Sequence, residues 1–193
     1  MNMKRLRETN INTPEYFDNQ FNLKEIDSTN LLRQKFYIQE VLSGQKVIEL
    51  GCGMSYFPQM AYLKGAISYG LDFSEQAISK LRDEFPNVNY IVGDALKTSF
   101  EDGFFDVVVS GEVIEHIEEP KRLVEEMNRI CKPKGKIILS TPKLEFDDHE
   151  HLWEFEEIDL HHLFNPFGIV QTFIKESDKF PGRKYIFMIC EKE

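Results

Sequence analysis

Along the chain, short unbroken apolar runs alternate with stretches in which apolar residues recur three and four positions apart. The runs at residues 47–50, 66–71, 89–92, 105–110 and 136–140 predict buried strands. Helical spacing appears between them, in Phe57, Met60 and Ala61, then Ala77, Ile78, Leu81 and Phe85, then Leu123, Val124, Met127, Ile130 and Cys131. An earlier helix, capped by Ser28, Thr29 or Asn30 and running to about Leu42, presents Phe36, Ile38, Val41 and Leu42. Punctuation agrees with these limits: Ser43-Gly44 precedes the first strand, Gly65 and Pro86-Asn87 end helices, Ser74 caps one, and Pro120 suits a first turn. A polar and aromatic connection, 141–155, leads to a short helix near 157–164. Two late runs, 169–174 and 185–190, read as successive strands joined through 177–182. Alternating strands and helices call for helices on both faces of a mostly parallel α/β sheet, with an antiparallel strand at the end.

Composition adds bounds. The 193 residues predict one domain, 1–193: an N-terminal arm and helix (1–42), a core (43–140), and a connection with terminal strands (141–193). No apolar run is long enough for a membrane span, and the basic start, Met1 to Arg7, has no apolar segment behind it. Three scattered cysteines form neither a disulfide framework nor a zinc spacing, so a cytoplasmic location is expected. With 23 basic against 33 acidic residues, the net charge of −10 argues against a nucleic-acid partner and leaves the oligomeric state open. In the arm, Tyr16 and Phe17 could fold back over a ligand or pin the arm to the core, and they are read as pins.

Candidate chemistry begins where the first strand meets Gly51-Cys52-Gly53. Two glycines permit a tight turn and close approach of a ligand to the backbone. Asp72 ends the second strand, and a glycine loop followed by an acid there is how an open parallel sheet holds a nucleoside. A phosphate loop would need a Gly-Lys-Ser/Thr ending, which the chain lacks. A dinucleotide site would want a third glycine where Tyr56 stands. The bland reading is that Asp72 and Asp94 merely cap the turns that follow them.

The set of motifs resembles the class I S-adenosylmethionine-dependent methyltransferases over nearly the whole chain. Residues 47–53 look like that family's first motif, with Glu49 as its acid. Residues 70–74, Gly93-Asp94-Ala95, 105–110, and 123–135 look like the motifs after it. The departure is Ser55, where the family often has glycine. The resemblance implies a Rossmann-like seven-stranded sheet with its last strand antiparallel, and S-adenosyl-L-methionine as cofactor. It implies cofactor contacts from Glu49, Gly51, Cys52, Gly53, Asp72, Phe73, Asp94, Ala95 and Ser110. Asp72 would take the ribose hydroxyls, Phe73 would lie on the adenine, and Asp94 and Ala95 would meet its edge.

Methyl transfer asks the protein mainly to align an acceptor and exclude water, and a hydroxyl acceptor also benefits from a base or a metal. Glu112, Glu115 and His116 follow the fourth strand; if they begin a helical turn they share one face. A polar cluster, 147–155, should overhang the same edge. His116, helped by Glu112 or His151, is the expected handler of the acceptor's proton; the rival for His116 is a structural hydrogen bond. Trp153 and Phe155 are expected to wall the acceptor pocket, simple packing being the rival, and His149, His161 and His162 to be surface or structural groups.

The same residues resemble the metal-dependent 2′-O-methyltransferases of small-RNA 3′ ends. There Glu112, Glu115, His116 and His151 would hold a divalent ion, a set that suits magnesium or manganese only moderately. The expectation is therefore a small-molecule hydroxyl acceptor (a sugar, quinone precursor or secondary metabolite), with no metal assigned. The alternatives are a metal-assisted RNA-end enzyme and a non-catalytic nucleoside-binding regulator.

Overall fold

The computed structural model describes residues 3–23, 31–143, 150–177 and 181–193. The expected caps Ser28, Thr29 and Asn30, the polar residues Asp147, Asp148 and His149, and Asp178 to Phe180 lie outside the described residues. In chain order the elements are β1 (Lys4–Arg5), α1 (Pro14–Leu23), α2 (Leu31–Gln39), β2 (Lys46–Leu50), α3 (Phe57–Leu63), β3 (Ile67–Asp72), α4 (Glu75–Glu84) and β4 (Asn89–Val92). Then come β5 (Phe105–Gly111), a 3₁₀ turn (Ile114–His116), α5 (Pro120–Ile130), β6 (Cys131–Lys143), β7 (Trp153–Glu154), α6 (Glu157–Phe164), β8 (Gly168–Glu176) and β9 (Lys184–Lys192).

The main sheet has seven strands in the order β4-β3-β2-β5-β6-β9-β8. The first five run parallel, and β9 lies antiparallel between β6 and β8. This is the expected Rossmann-like sheet with its last strand antiparallel. Strand order reverses beside β2, whose neighbours are β3 and β5, so a crevice opens at their carboxyl ends.

Side-chain alternation explains why the strands read as solid apolar runs. Val47, Val107, Val109 and Ile138 pack with Tyr37, Val41 and Phe57 on one side of the sheet. Ile48, Leu50, Val108, Ile137 and Leu139 pack with Leu123, Met127 and Leu160 on the other. Both faces are covered, so neither strand face needs polar residues. α5 shows the complementary logic, burying Leu123, Val124, Met127 and Ile130 while Lys121, Arg122 and Glu125 stay in water.

Some limits and one pairing differ from the sequence reading. α2 ends at Gln39, and Leu42 lies outside it, 64% exposed, its N–H donating to Gln45 Oε1 (2.7 Å). β6 extends to Lys143 because antiparallel pairing with β9 continues through Thr141↔Ile186 to Lys143↔Lys184. A second sheet of β1 and β7, pairing Lys4↔Glu154 and Arg5↔Trp153, has no periodicity long enough to announce it. Among the described residues, no helix is long and apolar enough to cross a membrane.

Candidate active site

The glycine loop and the acid after β3 brace each other. Gly51 (φ +68°) and Gly53 (φ +45°) turn through left-handed backbone that glycine adopts without a Cβ penalty. The Gly53 N–H donates to Asp72 Oδ2 (2.7 Å) and the Ser74 N–H to Asp72 Oδ1 (2.9 Å). Ser74 in turn caps α4 by accepting from the Ala77 N–H (3.1 Å). Burial raises the Asp72 pKa above its ordinary value, against the hydrogen bonds from Ser74 and Gly53. Each Asp72 oxygen has a lone pair left over, so the bracing role and a ribose-binding role are compatible.

A cavity of about 520 Å³ opens over this loop, lined by Gly51, Gly53, Asp72, Phe73, Asp94 and Ala95 among others. That size falls in the range of small-molecule and cofactor sites. Asp94 Oδ1 also accepts from the Leu96 N–H (2.8 Å), so its turn-capping role is real. Three expected contacts lie behind the wall rather than on it. The Ser110 hydroxyl donates to the Leu50 carbonyl (3.1 Å), Cys52 is 3% exposed, and Glu49 is 3% exposed. Burial pushes the Glu49 carboxyl up to about 8, against a hydrogen bond from Ser55 and the field of Arg33. Among the described residues its Oε2 has no hydrogen-bond partner. Ser55, the departure from glycine, thus supports the buried acid.

The N-terminal arm does more than pin itself down. Tyr16 Oη donates to Glu150 Oε1 (2.6 Å), as a pin should. Phe17, however, lines the cavity and lies 5.6 Å from the Phe73 ring and 5.9 Å from the His116 ring. Asp18 fastens α1 to the start of α4, accepting from the Ser74 hydroxyl and, at 3.4 Å, from the Gln76 N–H.

Sequence reasoning missed Arg33. α2 was readable only by its apolar stripe, yet it carries this guanidinium to the carboxyl edge, 3.5 Å from Glu112 Oε1 and 18% exposed. No local motif signals it, because its partner Glu112 lies far away in sequence.

Beyond β5 the backbone departs from the expected helical turn. Glu112 adopts φ +57°, and the 3₁₀ turn spans only Ile114–His116, so Glu112 does not share a face with Glu115 and His116. Its Oε1 instead accepts from the Ser140 hydroxyl (2.9 Å). The remaining three expected ligands do converge: one ligand atom each from Glu115, His116 and His151 lie within 4.8 Å of one another. Glu115 is 1% exposed, with Oε2 accepting from the Thr141 hydroxyl (3.1 Å) and Oε1 lacking a hydrogen bond. His116 lines the cavity, and its Nδ1 sits 3.1 Å from the Glu150 carbonyl. A carbonyl can only accept, so Nδ1 carries the proton and Nε2 of neutral His116 keeps its lone pair. That Nε2 lies 3.9 Å from Glu115 Oε1.

The edge is welded by long-range bonds. Asn12 Nδ2 donates to the His116 carbonyl (3.1 Å) and the Glu150 carbonyl (2.9 Å), and the Leu152 N–H to the Glu115 carbonyl (2.8 Å). Trp153 Nε1 donates to the Ile117 carbonyl (2.8 Å), while Phe155 is fully buried in the core. Both aromatics therefore pack rather than wall the pocket. His161 Nε2 lies 3.3 Å from the Thr172 hydroxyl, a structural contact.

With this geometry in place, comparison with known proteins is informative. Residues 48–139 match the family described as Methyltransferase domain. The match runs from within β2 to within β6. It is 29% identical over 124 residues, 62% of this chain and 53% of the relative, to ubiquinone biosynthesis O-methyltransferase from Coxiella burnetii. The chain thus spans about half the length of the curated relatives it matches. The PH0226 protein of Pyrococcus horikoshii superposes with TM-score 0.66 at 26% identity, covering 95% of this chain and 94% of that one. The fold is shared with Burkholderia thailandensis 1,6-didemethyltoxoflavin-N1-methyltransferase, solved with S-adenosylhomocysteine, at TM-score 0.72, 13% identity, and coverage of 98% and 94%. The matched residues include the glycine loop and Asp72.

Proposed function

We propose that the protein transfers a methyl group from S-adenosyl-L-methionine to a hydroxyl of a small molecule. When bound, the cofactor supplies a methyl group already activated on a sulfonium. Gly51, Gly53 and Asp72 hold the nucleoside side, with Phe73 against the base and Asp94 and Ala95 at its edge. Arg33 offers a cation to the cofactor's carboxylate. Phe17 and the arm exclude water from above. The observation that carries the reading is His116: its protonated Nδ1 is held by the Glu150 carbonyl, and its Nε2 can take the hydroxyl proton beside the cavity. The curated relatives' name favours a phenolic hydroxyl of a quinone precursor among possible acceptors.

A second reading is favoured by the convergence of Glu115, His116 and His151. A carboxylate and two imidazoles fit a divalent transition ion, which would lower the acceptor hydroxyl's pKa. Labelled-methyl transfer to a panel of phenols, catechols, sugars and RNA 3′ ends tests both. The first reading expects transfer to a small hydroxyl compound. It also expects His116→Ala to lower turnover by about 10²–10⁴ while S-adenosylhomocysteine still binds. Loss of all transfer on chelation, restored by added metal, transfers the proton-handling role to the ion. Transfer to RNA alone overturns the small-molecule acceptor.

A further inference from the structure

Glu112 occupies a position that its expected role as base or ligand does not explain. Its backbone is left-handed (φ +57°), a conformation uncommon for a residue with a Cβ and held only where surroundings dictate it. Here its N–H donates to the Ser140 carbonyl (3.0 Å) and its Oε1 accepts from the Ser140 hydroxyl (2.9 Å). Ser140 Oγ is fixed from behind by the fully buried Tyr37, at 2.6 Å. The same Glu112 oxygen lies 3.5 Å from Arg33.

These contacts close a ring. Arg33 and Tyr37 stand one turn apart on α2, and the path Tyr37, Ser140, Glu112, Arg33 leaves that helix and returns to it. Gly111 is built to the same ring: a Cβ there would run into the Tyr37 hydroxyl and come 3.1 Å from its Cζ. Glu112 is meanwhile absent from the group formed by Glu115, His116 and His151.

We propose that Glu112 is a positioning residue that acts through Arg33, holding the guanidinium ready for the carboxylate of the cofactor's amino-acid part. The inference rests on the reading of the cavity as an S-adenosylmethionine site. The Arg33 contact with Glu112 is a single one at 3.5 Å, so most of its five donors remain for an incoming carboxylate. Glu112 lines the cavity, so the guanidinium it holds stands at the cavity's edge. A cation held there is complementary to the carboxylate of an incoming zwitterion. Without Glu112, Arg33 is a long side chain that must be ordered on binding.

The test compares two ligands by calorimetry: S-adenosylhomocysteine, which has the amino-acid part, and 5′-methylthioadenosine, which lacks it. Glu112→Gln keeps the shape and the Ser140 bond but removes the charge. It is expected to weaken S-adenosylhomocysteine about two- to tenfold, the cost of ordering one long side chain, and to leave 5′-methylthioadenosine unchanged. Arg33→Ala should show the same selectivity with a larger loss, and the double variant should lose no more than Arg33→Ala alone. Unchanged binding of 5′-methylthioadenosine also certifies that each variant is folded. Equal weakening of both ligands, additive losses, or turnover lost with S-adenosylhomocysteine affinity intact would each overturn the positioning role. Failure of the unmodified protein to bind either ligand would overturn the cofactor reading instead.

Discussion

The two sides of the cavity are held in different ways. On the nucleoside side, Asp72 reaches Gly53 and Ser74, and Asp94 reaches Leu96, all through backbone N–H groups close to a strand end. On the opposite edge, His116 is placed by contacts with Glu150 and Asn12, the latter 104 residues away in sequence. The first side is a local device that any chain with the right strand ends can build. The second exists only after the arm, the 3₁₀ turn and the segment after β6 have met. This difference suggests that cofactor binding is the robust property and acceptor handling the adjustable one.

A substitution at the seam between the two sides should disturb both. Gly111 ends β5, with Tyr37 filling the space a side chain would need. Gly111→Ala is expected to cost about 1–3 kcal/mol from overpacking and to displace Tyr37 from Ser140. Chemical denaturation would measure this; an unchanged midpoint would mean the seam is softer than the geometry states.

The buried carboxyl behind the cavity wall can be addressed alone through Glu49. Its folded pKa, about 8, lies above the ordinary value of 4.5. Between those values the folded protein therefore binds more protons than the unfolded chain. The corresponding stability is fully present below pH 4.5 and is lost as pH rises through about 8. Thermal unfolding of the unliganded protein should show a decline over that window which Glu49→Gln lacks. Parallel curves for the two proteins would remove the buried carboxyl from the account.

The smallest expected effect isolates the welded edge. Trp153→Phe removes the Nε1 donor to the Ile117 carbonyl but keeps most of the packing. The expected cost is about 1 kcal/mol, or roughly 2–4 °C in Tm, with S-adenosylhomocysteine affinity unchanged. Weakened cofactor binding would show that the two sides are coupled more tightly than their separate bonding implies.

The same contrast explains what was legible in the sequence. Strand order, the glycine loop, Asp72 and Asp94 announce themselves because spacing along the chain fixes their spacing in the sheet. Glu112 was placed wrongly on a helical face because its left-handed backbone depends on Ser140, which belongs to another strand. Arg33 was invisible because its partner Glu112 is distant in sequence. Trp153 and Phe155 were taken for pocket walls, whereas the Ile117 carbonyl and the core claim them. Phe17 was read as a pin in preference to a cover for a ligand, and only the folded arm brings it over Phe73. Where geometry follows from a strand end, pattern suffices; where it follows from the meeting of distant segments, it does not.

The most direct test of the central claim is calorimetric titration of S-adenosylhomocysteine into the intact protein and into Asp72→Ala, with Asp72→Asn as a milder companion. The account predicts saturable binding at one site, weakened at least about 10²-fold when the carboxylate is removed, since charged hydrogen bonds to ribose and the brace on Gly53 go together. Binding of equal strength by both variants, or none by the unaltered protein, would contradict it.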